Sequence, residues 1–121
     1  MFLKEEIQRF VVEKKIQAGW IVTCVGSLAD YSIRFANQSS PNEGIGLFEI
    51  ISLSGTLSSN GSHLHISIAD STGKVIAGHL ADNNKIYTTA EIVIQSTPEY
   101  ILVREKDGST EWPELKVIPA D

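Results

Sequence analysis

The chain has 121 residues, 42% of them hydrophobic, and a formal net charge of −5. This length predicts one domain over residues 1–121 that buries about two-thirds of its unfolded surface. The acidic balance and the dispersed lysines and arginines argue against autonomous nucleic-acid binding, because phosphate contacts require clustered cations. A lone Cys24 excludes an internal disulfide and suits a reducing compartment, so we expect a cytoplasmic protein. No apolar run reaches membrane-spanning length, so no membrane association is expected.

One helix is predicted at the start, over residues 2–17, with Ala18 and Gly19 as its stop. About seven strands follow at 20–25, 30–36, 47–58, 63–69, 74–80, 86–95 and 100–106. Because no helix separates the later strands, the predicted fold is α+β: a mainly antiparallel curved sheet or half-barrel with an N-terminal helix. The tail, residues 111–121, is expected to be peripheral, on the surface or partly disordered.

All three histidines fall within residues 63–79, a stretch that predicts a β-hairpin. His63 and His65 are two residues apart, so in a strand they point to the same face. Whether His79 joins them depends on the turn. A three-residue loop over 71–73, with Gly73 in the left-handed conformation, is a common hairpin closure.

This turn pairs His65 with His79 and Ile68 with Ile76. The apolar side chains then share one face, whereas a register shifted by one residue would put His79 among them. Three imidazoles on the other face suit a divalent metal such as zinc or nickel. The alternative is a polar sheet face that carries histidines without a metal, and the spacing alone does not separate the two.

Two carboxylates interrupt apolar strands, Glu49 and Glu91. A buried carboxylate is costly unless it is paired or hydrogen-bonded. As candidate catalytic residues they would orient the histidines or act as a general base. The favoured interpretation is structural, a salt bridge with Arg34 or Arg104 across the sheet or a subunit interface. Two strand glycines, at 55 and 78, predict backbone crowding.

The segment at 46–56, GLFEIISLSGT, closely resembles the plant and prokaryote conserved (PPC) domain. The resemblance continues through HLH at 63–65, GKVIAGHL at 73–80 and TAEIVI at 89–94. It also takes in IQAGW at 16–20 and GSL at 26–28, and so covers nearly the whole chain in order.

This resemblance implies a compact α+β domain that assembles as a homotrimer. Prokaryotic members are single-domain proteins often named as DNA-binding, and some hold a metal through the histidines of this hairpin. Plant members contact other nuclear proteins through a Gly-Arg-Phe-Glu-Ile-Leu segment, which implies a protein partner for residues 46–51, from Gly46 to Ile51. Here Leu47 replaces the arginine, and the chain contains no AT-hook.

Two functional hypotheses follow, from different classes. The favoured one is a binding or regulatory module, a trimeric PPC-domain protein that holds a divalent metal, zinc, through His63, His65 and His79, with a transcription-associated or DNA-linked role. The alternative is a metal-dependent hydrolase or lyase that acts on a small molecule, with Glu49 or Glu91 as the base.

Overall fold

The computed structural model describes residues 1–121 and has the predicted α+β architecture, one helix followed by a curved antiparallel sheet. The helix α1 spans Leu3–Glu13, and the strands are β1 (Gly19–Arg34), β2 (Asn42–Leu57), β3 (His63–Ala69), β4 (Val75–Leu80), β5 (Lys85–Ser96), β6 (Tyr100–Glu105) and β7 (Glu114–Pro119). The chain contains no helix long and apolar enough to span a membrane.

Helix α1 ends four residues before the predicted boundary at residue 17. Lys15 adopts the left-handed conformation (φ 56°), and the backbone N–H of Ile16 donates to the carbonyl of Val11 at 3.0 Å. This is a Schellman-type end, in which a lysine takes the place usually held by glycine. The expected stop was therefore wrong, because Ala18 and Gly19 already belong to the approach to β1 and its first residue.

Strand β1 is the centre of the sheet and corrects a second boundary. The predicted break at residues 26–27 and the two short strands around it are one 16-residue strand. The break is instead a register irregularity against β5 between Gly26 and Leu28. Two further irregularities lie between residues 21 and 23 against β5 and between residues 29 and 31 against β2. Such irregularities bend a strand and increase its twist, so one strand serves both halves of the curved sheet.

The main sheet has the order β2-β3-β4-β1-β5, and β1 also pairs with β2. The last two residues of β1 reach β4, where Ile33 faces Leu80 and Arg34 faces His79. Gly78 permits this approach, because a Cβ at that position would lie 2.5 Å from the carbonyl oxygen of Arg34. The predicted crowding at this glycine is therefore confirmed.

The core lies between α1 and the concave face of the main sheet. The helix contributes Leu3, Ile7 and Val11, all of them buried. The sheet contributes the remaining members of the buried cluster, which are Ile21, Cys24, Leu28, Ile33, Phe48, Ile50, Leu53, Leu57, Leu64, Ile66, Ile68 and Leu80. Burial of each large aliphatic side chain contributes about 1.5–3 kcal/mol, and it holds the apolar side of β3 and β4 toward the helix.

The C-terminal residues form a separate two-stranded sheet, β6–β7. The tail lies on the surface, as expected, but it forms the ordered strand β7, which sequence patterning did not predict. Leu102 attaches the hairpin to the domain, because its N–H donates to the Gln17 carbonyl at 2.9 Å and its own carbonyl accepts from the Ser58 hydroxyl at 2.8 Å.

Candidate metal centre

The hairpin β3–β4 has the register that its apolar residues predicted. His65 faces His79 and Ile68 faces Ile76. Gly73 closes the turn in the left-handed conformation, with φ of 85°. The Asp70 carboxylate fixes the same turn, because it accepts hydrogen bonds from the N–H groups of Thr72 and Lys74 at 2.8 and 3.0 Å.

This register brings His63, His65 and His79 together on the face opposite the core. Their candidate ligand atoms all lie within 4.8 Å of one another. The ring centroid of His63 lies 5.0 Å from that of His65 and 5.2 Å from that of His79. Because a Zn–N bond is about 2.0–2.1 Å long, small side-chain rotations would let one ion contact all three rings.

The chemistry of the rings fits a metal. The Nδ1 atom of His79 is buried and has no hydrogen-bond partner, which is unusual for a polar atom. Burial, and then the nearby Arg34 charge, lower the pKa of His79 to about 4. His63 retains some exposed surface, and burial of the rest of its ring, followed by the Arg104 charge, lowers its pKa as well. Both rings are therefore neutral at pH 7, the form that binds metals.

A cavity of about 340 Å³ opens beside the histidines. It is lined by His63 and His79 together with residues from four other parts of the chain, which are Arg34, Asn60, Gly61, Ser62, Arg104, Trp112, Pro113 and Glu114. A neighbouring cavity of about 280 Å³ contains His65 and again Arg104 and Glu114. The metal candidates thus stand at the wall of a concave site rather than on an open sheet face.

The structure does not bring the two predicted carboxylates to this site. Glu49 is exposed and faces Ala69, at the end of β3 remote from His63. Glu91 is exposed on β5, a strand that pairs with β1 but not with β3 or β4. Neither carboxylate forms an ion pair, so the expected salt bridges with Arg34 or Arg104 are absent.

The carboxylate that does line the site is Glu114, at the start of β7. Its Oε1 accepts a hydrogen bond from the Thr110 hydroxyl at 2.8 Å. Sequence reasoning missed Glu114 and Trp112 because both lie in the tail, where alternation is weak and Pro113 interrupts the pattern. The sequence predicts Arg34 and Arg104 only as salt-bridge partners of Glu49 or Glu91, and both of these carboxylates lie outside the site.

Comparison with known proteins identifies the family to which this fold and its histidine hairpin belong. Residues 3–98 match the family model described as the Plants and Prokaryotes Conserved domain. The chain belongs to this PPC family. The matched residues include all three histidines and Arg34, whereas β6 and β7, which carry Arg104 and Glu114, lie beyond them.

Curated relatives share this PPC domain only as part of a longer protein. The bifunctional protein GlmU of two Synechococcus strains is 40% identical to the chain over 117 and 115 residues. These alignments cover 97% and 95% of the chain but 18% of each GlmU. The chain therefore spans less than a fifth of the length of these relatives.

Solved structures confirm the fold of the PPC domain over nearly its whole length. A hypothetical protein from Salmonella enterica is 33% identical, with a TM-score of 0.95 over 98% of this chain and 86% of that one. A Bacteroides thetaiotaomicron protein provisionally named as DNA-binding is 25% identical, with a TM-score of 0.85 over 96% and 84%. A metal-containing protein from Archaeoglobus fulgidus, 22% identical with a TM-score of 0.70 over 96% and 86%, shares the fold.

Proposed function

We propose that this PPC-domain protein binds one divalent metal ion, zinc, through His63, His65 and His79. The observation that carries the proposal is the convergence of three imidazoles whose ligand atoms lie within 4.8 Å of one another. The unpartnered Nδ1 of His79 and the lowered pKa of His63 and His79 support it. The metal-containing relative from Archaeoglobus fulgidus adds support at the level of the fold.

Three protein ligands leave one tetrahedral position of zinc open. When bound, such an ion supplies Lewis-acid chemistry or an activated water. The chain's own contribution is to hold the rings on two paired strands, which fixes their spacing, beside a cavity that would admit a fourth ligand. Glu114 is the only carboxylate that lines this cavity.

A second candidate function is a metal-dependent hydrolase or lyase, and Glu114 favours it. A general base must lie within hydrogen-bond reach of the proton that it abstracts, and Glu114 lines both cavities beside the histidines, whereas Glu49 and Glu91 line neither. Glu114→Gln should abolish any zinc-dependent hydrolysis of a small-molecule ester while zinc content is unchanged. Hydrolysis that persists in this variant would contradict the assignment.

We also propose that the chain assembles as a homotrimer in the cytoplasm. On β1 and β5, the exposed Val25 and Val93 share the side opposite the buried Cys24, so the outer face of the sheet carries an apolar patch at these strands. A second subunit would cover this face, as large exposed apolar surfaces usually mark contacts. Sedimentation equilibrium should give three times the chain mass, and a monomer would refute the assembly.

For nucleic acid, we propose that any DNA-linked role requires a partner protein, docked through residues 46–51. The chain carries a net charge of −5, which opposes contact with phosphates. In a mobility-shift assay the purified chain alone should leave duplex DNA unshifted at physiological salt. Tight, salt-sensitive binding would overturn this judgement.

Metal analysis by mass spectrometry tests the main proposal. Purified wild-type protein, reconstituted with zinc and desalted, should retain about one equivalent per chain. His65→Ala should lose it, because two ligands bind zinc far more weakly than three. Ser67→Ala is the matched control, since Ser67 lies on the same face of β3 outside the histidine cluster. Wild-type protein without retained zinc would refute the metal centre.

A further inference from the structure

Two arginines stand beside the histidines without a carboxylate partner. Arg34 and Arg104 both line the 340 Å³ cavity. Neither belongs to any of the four ion pairs in the molecule. In a protein with a net charge of −5, acidic partners are abundant, so two unpaired guanidinium groups in one cavity call for an explanation.

Backbone pairing places Arg34 at the site. It faces His79 across the β1–β4 pair, at the crossing that Gly78 permits. Its guanidinium lies 4.9 Å from the centroid of the Trp112 ring, and its Nη1 donates to the carbonyl of Gln38 at 3.3 Å. A cation held over an aromatic face in this way is oriented but not neutralised.

Arg104 reaches the same cavity from β6. Its Nη2 donates to the Thr56 hydroxyl at 2.8 Å, and Thr56 is the cross-strand partner of His63. Its Nε is buried and has no hydrogen-bond partner. Gly61 leaves room for the side chain, since a Cβ there would lie 3.1 Å from the Cγ of Arg104. A buried N–H without an acceptor is costly, so this donor is a candidate ligand contact.

The electrostatics of the cavity favour an anion. Its lining contains two guanidinium groups and one carboxylate, Glu114. Neutral imidazoles do not cancel the charge of a bound divalent ion, which would make the site more positive still. Guanidinium groups form strong, often bidentate hydrogen bonds with carboxylate and phosphate oxygens.

We infer that this cavity binds a small organic molecule through an oxyanion, carboxylate or phosphate, held between Arg34 and Arg104 beside the histidine centre. The inference rests on the proposed metal function for the role of the open coordination position. The arginines and the cavity stand independently of it. The volume of about 340 Å³ lies within the range of small-molecule sites, and Trp112 offers an aromatic wall for the ligand's uncharged part.

Fluorescence titration with inorganic phosphate and with acetate tests the inference. The chain has two tryptophans, so a Trp20→Phe background leaves Trp112, beside Arg34, as the reporter. Zinc-loaded protein should show a saturable change with at least one of the two anions, which identifies the oxyanion class. Arg34→Gln and Arg104→Gln should each weaken the affinity for this anion roughly tenfold or more. Arg104→Lys keeps the charge but loses the planar guanidinium, so its affinity should lie between that of Arg104→Gln and that of the parent.

Lys116→Gln is the matched control, because Lys116 is an exposed cation on the same C-terminal hairpin that does not line the cavity. Its affinity should equal that of the parent, and melting curves confirm that all variants fold. Saturation that both arginine variants leave unchanged, or no saturation with either anion, would overturn the inference.

The same titrations on chelator-treated protein separate the two proposals. Zinc retention without arginine-dependent anion binding refutes the anion site alone. Loss of zinc from the wild type, with anion binding that still depends on Arg34 and Arg104, refutes the metal centre alone.

Discussion

The two hairpins that build the site differ in how the domain holds them. The histidine hairpin, β3–β4, pairs with β2 on one side and with β1 on the other. The C-terminal hairpin, β6–β7, pairs only with itself and attaches through side-chain bonds and the contacts of Leu102. The proposed metal ligands thus lie on strands that are hydrogen-bonded to neighbouring strands on both sides. Arg104 and Glu114 lie on a hairpin that has fewer bonds to the rest of the domain.

The difference in attachment suits the two hairpins to two different roles, metal binding and the admission of a ligand. A metal centre needs its donors held at fixed spacing, and the paired strands β3 and β4 provide it. A pocket that admits and releases a small molecule requires a part that opens at low cost, and such parts come from the less stable regions of a fold. Substitutions in and beside each hairpin test whether the two hairpins differ in this way.

The largest expected effect is that of Gly55→Ala, at a position of β2 that pairs with Leu64 of the histidine hairpin. Gly55 has φ of 143°, and a Cβ there would lie 1.9 Å from the carbonyl oxygen of His63. Because two backbones would have to separate, we expect a loss of about 3 kcal/mol or more in the free energy of unfolding. Chemical denaturation of the metal-free protein measures it.

Gly108→Ala provides the counterpart in the C-terminal hairpin. Gly108 also has positive φ, 88°, but a Cβ at this position would have no other atom within 4 Å. Only the conformational strain of the positive φ remains, so the free energy of unfolding should fall by about 1 kcal/mol. Equal losses at the two glycines would contradict the claimed difference between the hairpins.

The second effect is a pH dependence of the metal-free protein. The pKa of His79 is about 4 in the folded chain and near the ordinary 6.5 when unfolded. Between these values the unfolded chain binds a proton that the folded chain does not. The contribution of His79 to the free energy of unfolding is therefore fully present above pH 6.5, and it is lost as the pH drops toward 4. After discounting for partial exposure we expect a loss of about 1–2 kcal/mol.

Thermal melting in the presence of a chelator checks this prediction. His79→Gln should flatten the decline over the same pH interval, leaving the smaller part that comes from His63. A decline of the same slope in the variant would show that other groups control the acid sensitivity.

The third effect is the loosening of the C-terminal hairpin by Ser58→Ala. The Ser58 hydroxyl is buried, donates to the Leu102 carbonyl at 2.8 Å and accepts from the Asn60 N–H at 3.0 Å. Its removal should cost about 1 kcal/mol. Hydrogen exchange should accelerate at amides of β6 more than at amides of β3. Ser71→Ala, in the exposed turn of the first hairpin, should change neither quantity.

The smallest effect is that of Lys116→Ala. Its ammonium lies 3.2 Å from the Glu105 carboxylate, and both side chains are more than half exposed. Exposed ion pairs contribute about 0–1 kcal/mol, so we expect a loss below about 0.5 kcal/mol that vanishes at high salt. A larger loss would mean that this ion pair stabilises the pairing of β6 with β7 more than exposed ion pairs usually do.

The sequence predicted the histidine hairpin well for a physical reason. Alternation of Leu64, Ile66 and Ile68 with polar residues admits one buried register, and Gly73 supplies the matching turn. Local patterns of this kind determine which side chains share a face. The predicted crowding at Gly55 and Gly78 had a similar basis, because a glycine inside a strand pattern indicates that another backbone approaches closely.

The remainder of the site depends on contacts that local patterns do not encode. Arg34 meets His79 only because β1 bends through three register irregularities and reaches β4. Arg104 and Glu114 arrive on a hairpin whose second strand alternates weakly. The helix end was misplaced because a lysine, Lys15, adopted the left-handed conformation that glycine usually takes.

The absence of backbone pairing between the two sheets also has a kinetic consequence. A ligand held by His79 on one side and Arg104 on the other would bridge two sheets that share no strand pairing. Displacement of β6–β7 from Ser58 and Gln17 would open a route for its release. Its residence time would then follow the opening rate of that hairpin, and variants that loosen Leu102 would shorten it without altering any atom that contacts the ligand.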